Sequence, residues 1–164
     1  MLSVKRLAKE YKAMISDPPP GILAAPISED NFFEWEAFIT GPDETPFEFG
    51  VFRAILKFPP DYPNNPPSMQ FTTDVFHPNV YPDGRVCISI LHPPGNDPSG
   101  YELSSERWSP VQSVDKILLS VVSLLAEPND GSPANVDAAK MWREDNAEFR
   151  RRAHACVRAS LGFA

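Results

Sequence analysis

The run from His77 to Ile90, His-Pro-Asn-Val-Tyr-Pro-Asp-Gly-Arg-Val-Cys-Ile-Ser-Ile, holds the residues best suited to chemistry. It sets a side-chain amide, Asn79, eight residues before a thiol, Cys87. Between them, Tyr81-Pro82-Asp83-Gly84 predicts a turn that folds the chain back and brings amide and thiol together. That pairing suits covalent acyl transfer. The thiol carries the acyl group, and the amide donates a hydrogen bond to the oxyanion formed when the acyl carbon is attacked. Residue types alone leave a plainer reading of each. Cys87 also fits a buried hydrophobic cysteine, and Asn79 also fits a turn residue bonded to its local backbone.

The elements that must position these residues follow from periodicity. Val4, Leu7, Tyr11, Met14 and Ile15 recur every three or four residues and predict an amphipathic N-terminal helix, with Ser3 as its cap and Pro18-Pro19-Pro20-Gly21 ending it. The period then becomes two. Phe33, Trp35, Ala37 and Ile39 alternate with Glu34, Glu36, Phe38 and Thr40, and Phe52, Ala54, Leu56 and Phe58 with Val51, Arg53, Ile55 and Lys57. With Ile22–Ala25 before and Ser68–Thr72 after, these runs predict a four-stranded antiparallel meander.

The helical period returns after Trp108. Ser109 fits a cap, Pro110 a first helical position, and Val114, Ile117, Leu118, Val121, Leu124 and Leu125 the stripe of a largely buried central helix stopped by Pro128-Asn129. Two further helices are expected near Val136–Arg143 and Ala147–Leu161. On the second, Cys156 shares a face with Phe149, Ala153 and Val157 and reads as core. The fold class is α+β, one domain over 1–164, with an irregular segment at about 73–108 between the sheet and the central helix. Long ordered loops in a compact domain are commonly functional, so the chemistry belongs there.

Composition narrows the function classes. The net charge of −7 runs opposite to that of a nucleic-acid binder and favours basic protein surfaces or lysine-bearing substrates. Nineteen prolines in short clusters read as rigid loops. Two cysteines and three histidines, none at ligand spacing, predict neither a disulfide scaffold nor a metal site. Lys5, Arg6, Lys9 and Lys12 interrupt any apolar leader, and the longest apolar run, Ile117–Ala126, is too short to span a bilayer. The expected setting is reducing and cytosolic, without membrane insertion.

Several pieces stand together in the order found in the ubiquitin-conjugating enzymes, and the chain resembles that family from about Val4 onward. They are Phe58-Pro59-Pro60-Asp61-Tyr62-Pro63, His77-Pro78-Asn79, Cys87 and Trp108-Ser109-Pro110. Cys87 and Trp108 lie 21 positions apart, farther than in the short members. The extra segment from His92 to Glu102 is similar to the insertion of the branch that serves endoplasmic-reticulum-associated degradation.

The resemblance implies that Cys87 accepts ubiquitin as a thioester and that Asn79 is its catalytic partner, with His77 and Pro78 bracing the loop. Many members carry an acidic residue just after the cysteine and another past the central helix. This chain has Ser89 and Ser132 there, the insertion offers Asp97, Glu102 and Glu106 with His92, and support of the lysine or the loop is implied for His92, Asp97 and Ser132. Ligase docking is implied at Lys5, Arg6, Pro63, Asn64, Ser109 and Pro110. RING-type ligases usually receive an apolar side chain where Asn64 stands, so ligase choice or affinity is expected to differ.

The implied partners are ubiquitin, an activating enzyme, substrate proteins and a RING-type ligase. A membrane-anchored ligase would be the route to the endoplasmic reticulum. No cofactor is expected on the chain, because the activating enzyme consumes the ATP and no phosphate-cradling loop is present. Three rival readings carry different signatures. A non-catalytic relative would lack Cys87. A phosphatase loop needs Arg six residues after the cysteine, where Pro93 stands. A carrier of another ubiquitin-like modifier stays open on sequence alone.

Overall fold

A computed structural model describes residues 2–163. Helix α1 (Leu2–Ser16) is followed by strands β1 (Ile22–Ser28), β2 (Asn31–Thr40), β3 (Val51–Lys57) and β4 (Ser68–Phe71). They form one antiparallel sheet in the order β1-β2-β3-β4. Helices α2 (Val114–Ala126), α3 (Val136–Glu144) and α4 (Asn146–Ser160) complete the α+β fold, and a short 3-10 turn, Ser89–Leu91, lies in the irregular middle.

The period-two runs produce the sheet as expected. Trp35 pairs with Leu56, Ala37 with Ala54 and Ile39 with Phe52 across β2 and β3, while Met69 pairs with Leu56 across β3 and β4. These side chains point to one face and are buried there. Val114, Ile117, Leu118, Val121 and Leu125 of α2 and Phe149, Ala153, Cys156 and Val157 of α4 join them in one core. Helix α1 covers β1 and β2, and α4 packs against β3.

Two helix starts differ from expectation. Ser3 is a buried residue inside α1, not its cap. Helix α2 begins at Val114, so neither Ser109 nor Pro110 is part of it. Those residues instead form a turn closed by Gln112 N–H to the Ser109 carbonyl at 3.0 Å. A partner distant in sequence sets the start. Oε1 of Glu10, on α1, accepts the Val114 N–H at 2.7 Å and satisfies one of the helix's orphan donors.

Candidate active site

The Tyr81–Gly84 turn makes the hairpin that the sequence predicts. Gly84 donates to the Tyr81 carbonyl at 2.8 Å, Tyr81 to Arg85 at 2.9 Å, and the Cys87 N–H to the Asn79 carbonyl at 2.9 Å. The last bond fixes the thiol-bearing residue against the main chain of Asn79. Gly84 has φ +96°, and a Cβ there would stand 2.2 Å from the Phe71 carbonyl oxygen, so the approach of the hairpin to β4 requires glycine.

His77, Pro78 and Asn79 each tie the hairpin to a different part of the fold. His77 is fully buried. Its Nδ1 accepts the Asn79 N–H at 2.9 Å, which leaves Nε2 to donate to the Leu124 carbonyl in the last turn of α2 at 2.7 Å. Burial pulls the imidazole pKa down to about 4, so the ring is neutral at pH 7. The Pro78 carbonyl accepts from Ala134 N–H at 2.8 Å and Asn135 N–H at 3.0 Å. The Asn79 side chain bonds the main chain of Asn129 twice, donating from Nδ2 at 2.6 Å and accepting on Oδ1 at 2.9 Å. The tripeptide thus holds the loop after α2, where Ser132 sits exposed, against the segment leading to the thiol.

Cys87 is half-buried, whereas Cys156 is buried in the core. Burial pushes the Cys87 thiol pKa up, the negative charge of Glu102 adds to this, and a hydrogen bond from Tyr81 opposes it. The resting sulfur is therefore held as a thiol. Tyr81 escaped the sequence reading because it looked like a turn residue only. The partner loop at Asn129 escaped it because Pro128-Asn129 looked like a helix stop only.

Within the insertion, Asp97 is an organiser of the loop. Its carboxylate accepts from the Ser99 hydroxyl at 2.6 Å and from the N–H groups of Ser99, Tyr101 and Glu102 at 2.9, 2.8 and 3.0 Å. The Ser99 bonds lead in drawing its pKa down to about 2. His92 is joined to Glu102 through Nδ1 at 2.7 Å.

The residues expected at a ligase surface are physically linked. The Pro63 carbonyl accepts the Trp108 indole N–H at 2.7 Å, and Trp108 packs on Tyr62 with ring centroids 5.6 Å apart. Arg6 lies over the Tyr62 ring, donates to Glu10 at 3.0 Å and to the Gln112 carbonyl at 2.7 Å. Helix α1, the proline-rich loop and the Ser109–Gln112 turn are thereby one surface, with Lys5, Asn64 and Pro110 exposed and Pro63 and Ser109 half-buried.

A half-exposed thiol at the end of a braced hairpin, on a four-stranded meander flanked by helices, defines a thiol-centred acyl-carrier enzyme. Residues 6–157 match the family model described as ubiquitin-conjugating enzyme. The chain belongs to that family, whose members form ubiquitin thioesters and act with an activating enzyme, ligases and substrates. It is similar to the human ubiquitin-conjugating enzyme E2 G2, with 67% identity over 161 residues and 98% of each chain covered. It is also similar to the ubiquitin-conjugating enzyme E2-18 kDa of Schizosaccharomyces pombe, at 60% identity over 99% of this chain and 98% of that one. The Arabidopsis thaliana ubiquitin-conjugating enzyme E2 13 is 57% identical over 94% of this chain and 93% of its own. Among the described residues, no helix is long and apolar enough to cross a membrane.

Proposed function

We propose that Cys87 takes the C-terminal carboxyl group of ubiquitin as a thioester and that a substrate lysine then displaces it. The observation that carries this reading is the half-exposed thiol pinned by its own N–H to the Asn79 carbonyl at 2.9 Å. A fixed main chain at the cysteine narrows where the sulfur can lie, which helps a bulky acyl donor and acceptor meet in one geometry. Asn79 serves the same reaction in two ways. Its amide holds the Asn129 loop, and Nδ2 carries a second proton that can stabilise the oxyanion. His77 and Pro78 keep that arrangement rigid, Asp97 folds the insertion, and Ser132 belongs to the loop they brace.

A RING-type ligase is the partner we assign to the surface made by Lys5, Arg6, Pro63, Asn64, Ser109 and Pro110. Asn64 supplies no apolar anchor there, so binding leans on the surrounding residues. The insertion after Cys87 supports a role in protein quality control and proteasomal degradation, with a cytoplasmic enzyme recruited to the endoplasmic reticulum by a membrane-anchored ligase. The chain binds no cofactor in this scheme, and the activating enzyme uses the ATP.

One assay tests the central claim. The protein is incubated with ubiquitin, activating enzyme and ATP, and the products are separated with and without reductant. A reductant-sensitive adduct bearing one ubiquitin is expected, and it disappears in Cys87→Ala but persists in Cys156→Ala. An adduct that survives Cys87→Ala would refute the assignment.

A further inference from the structure

Three places in the chain set a hydroxyl residue directly before proline: Thr45-Pro46, Ser109-Pro110 and Ser132-Pro133. A proline-directed protein kinase reads such a pair in an extended segment whose hydroxyl can reach ATP. The fold treats the three differently. Thr45 is half-buried, and its Oγ1 donates to the Pro42 carbonyl at 2.7 Å and accepts the Phe47 N–H at 3.3 Å. Ser109 is half-buried and follows Trp108, which is fixed through its N–H to the His92 carbonyl at 3.0 Å and through its indole to the Pro63 carbonyl at 2.7 Å. Neither segment straightens without breaking these bonds.

Ser132 is exposed, and among the described residues its hydroxyl has no hydrogen-bond partner. A Cβ on the preceding Gly131 would meet only Asn129 Oδ1, at 3.4 Å, so little packs against this stretch. Its two ends are tied down. Asn129 is paired with the Asn79 side chain, and the Ala134 N–H donates to the Pro78 carbonyl at 2.8 Å. Successive Cα atoms are about 3.8 Å apart, so Ser132, two residues before Ala134, lies no more than about 12 Å from the Pro78 carbonyl. That is close to one Debye length, about 10 Å at 0.1 M salt. Arg143 is already engaged by Asp130 at 3.4 Å.

We propose that Ser132 is a phosphorylation site for a proline-directed kinase, and that its phosphate speeds transfer of ubiquitin from Cys87 to lysine. The second half rests on Cys87 carrying the thioester. In the modification the Ser132 oxygen bonds to the γ-phosphorus of ATP, the bond to the β–γ bridging oxygen breaks, ADP leaves, and the hydroxyl proton passes to the kinase. The phosphate brings a charge of about −1.5 to −2 at pH 7 to a position that has none. When a lysine amine attacks the thioester carbon, its nitrogen becomes positive. A nearby anion stabilises that transition state relative to the separated reactants, so discharge accelerates.

The full chain is treated with ATP and, in separate reactions, a purified cyclin-dependent kinase and a purified mitogen-activated kinase. Mass spectrometry of its peptides should find phosphate on Ser132, and Ser132→Ala should lose it. Phosphorylated and untreated protein are then charged with ubiquitin, ATP is removed, free lysine is added, and loss of the thioester is followed at pH 7.5. The phosphorylated form should discharge roughly threefold faster at low salt. The gain should shrink in 1 M salt, where the Debye length is about 3 Å, and phosphatase should abolish it. Ser132→Asp, with a single charge, should show a smaller gain with the same salt trend.

Absence of phosphate on Ser132 in both kinase reactions would overturn the proposal. So would discharge that is unchanged or slower after phosphorylation, or a gain of equal size at every salt concentration. Failure of untreated protein to load, or loading that survives Cys87→Ala, counts instead against the thioester assignment.

Discussion

The side chain of Asn79 pairs with the main chain of Asn129 as one strand residue pairs with another. Nδ2 donates to the Asn129 carbonyl at 2.6 Å, and Oδ1 accepts the Asn129 N–H at 2.9 Å. The pair is closed at one end by a buried side chain, 3% exposed. The residue whose carbonyl pins Cys87 therefore also fixes the loop after α2, and its side-chain amide is held in one orientation.

Asn79→Ala should separate the structural share of this arrangement from the chemical share. It leaves two main-chain groups of Asn129 without their partner, which costs about 1–3 kcal/mol. For a chain of this size each kcal/mol lowers Tm by roughly 2–4 °C. Scanning calorimetry should show a loss of several degrees. Discharge of the variant's thioester should also slow, through loss of Nδ2. An unchanged Tm would show that the Asn129 pair contributes nothing to folding.

His77 makes stability depend on pH in a defined direction. Its folded pKa of about 4 lies below the ordinary value of 6.5. Below pH 6.5 the unfolded chain binds a proton that the folded chain refuses. Stability from this group is therefore full above pH 6.5 and falls progressively down to pH 4, by about 3 kcal/mol in all. Urea denaturation of wild type and His77→Asn checks this. The wild type's advantage should narrow between pH 6.5 and 4, and a constant advantage would remove His77 as the source.

Much of the fold is legible in the sequence because its cues are local. Strand alternation in Phe33–Ile39 and Val51–Phe58 directs Trp35, Ala37, Ile39, Phe52, Ala54 and Leu56 inward, and they are buried there. The Asn79–Cys87 approach is legible because eight residues and one turn determine it. Interactions across long separations are not. Ser109-Pro110 has the residue types of a helix start, yet α2 begins at Val114 because Glu10, 104 positions away, accepts its N–H. The partner of Asn79 lies 50 positions downstream in a segment whose composition signals only a break. Tyr81 acts on the thiol through its side chain, while its sequence context describes only its backbone.

Glu10 should prove to be a structural hub between α1, α2 and the ligase-facing surface. One carboxylate oxygen caps Val114, and the other accepts from Tyr62 at 2.5 Å and Arg6 at 3.0 Å. Glu10→Ala strips all three and leaves the buried Tyr62 hydroxyl without its acceptor, an expected loss of about 1–3 kcal/mol. Lys5→Ala, at an exposed neighbouring site, should change stability by less than about 0.5 kcal/mol. Chemical denaturation of the two variants measures the contrast, and equal values would show that Glu10 is no hub.

The reactivity of Cys87 should respond to its two polar neighbours in opposite directions. Iodoacetamide reacts with the thiolate, so at a fixed pH below the thiol pKa the alkylation rate follows the thiolate fraction. Burial and Glu102 hold the pKa up, while the Tyr81 hydrogen bond pulls it down. Glu102→Gln removes a negative charge that opposes ionisation and should speed alkylation at pH 7.5. Tyr81→Phe removes a donor to the thiolate and should slow it. Cys156→Ala in every protein leaves Cys87 as the single site, so mass spectrometry reads its rate directly. If both variants shift the rate the same way, altered access to the sulfur governs reactivity. If they shift it in opposite directions, the charge of Glu102 and the hydroxyl of Tyr81 set the thiolate fraction at Cys87.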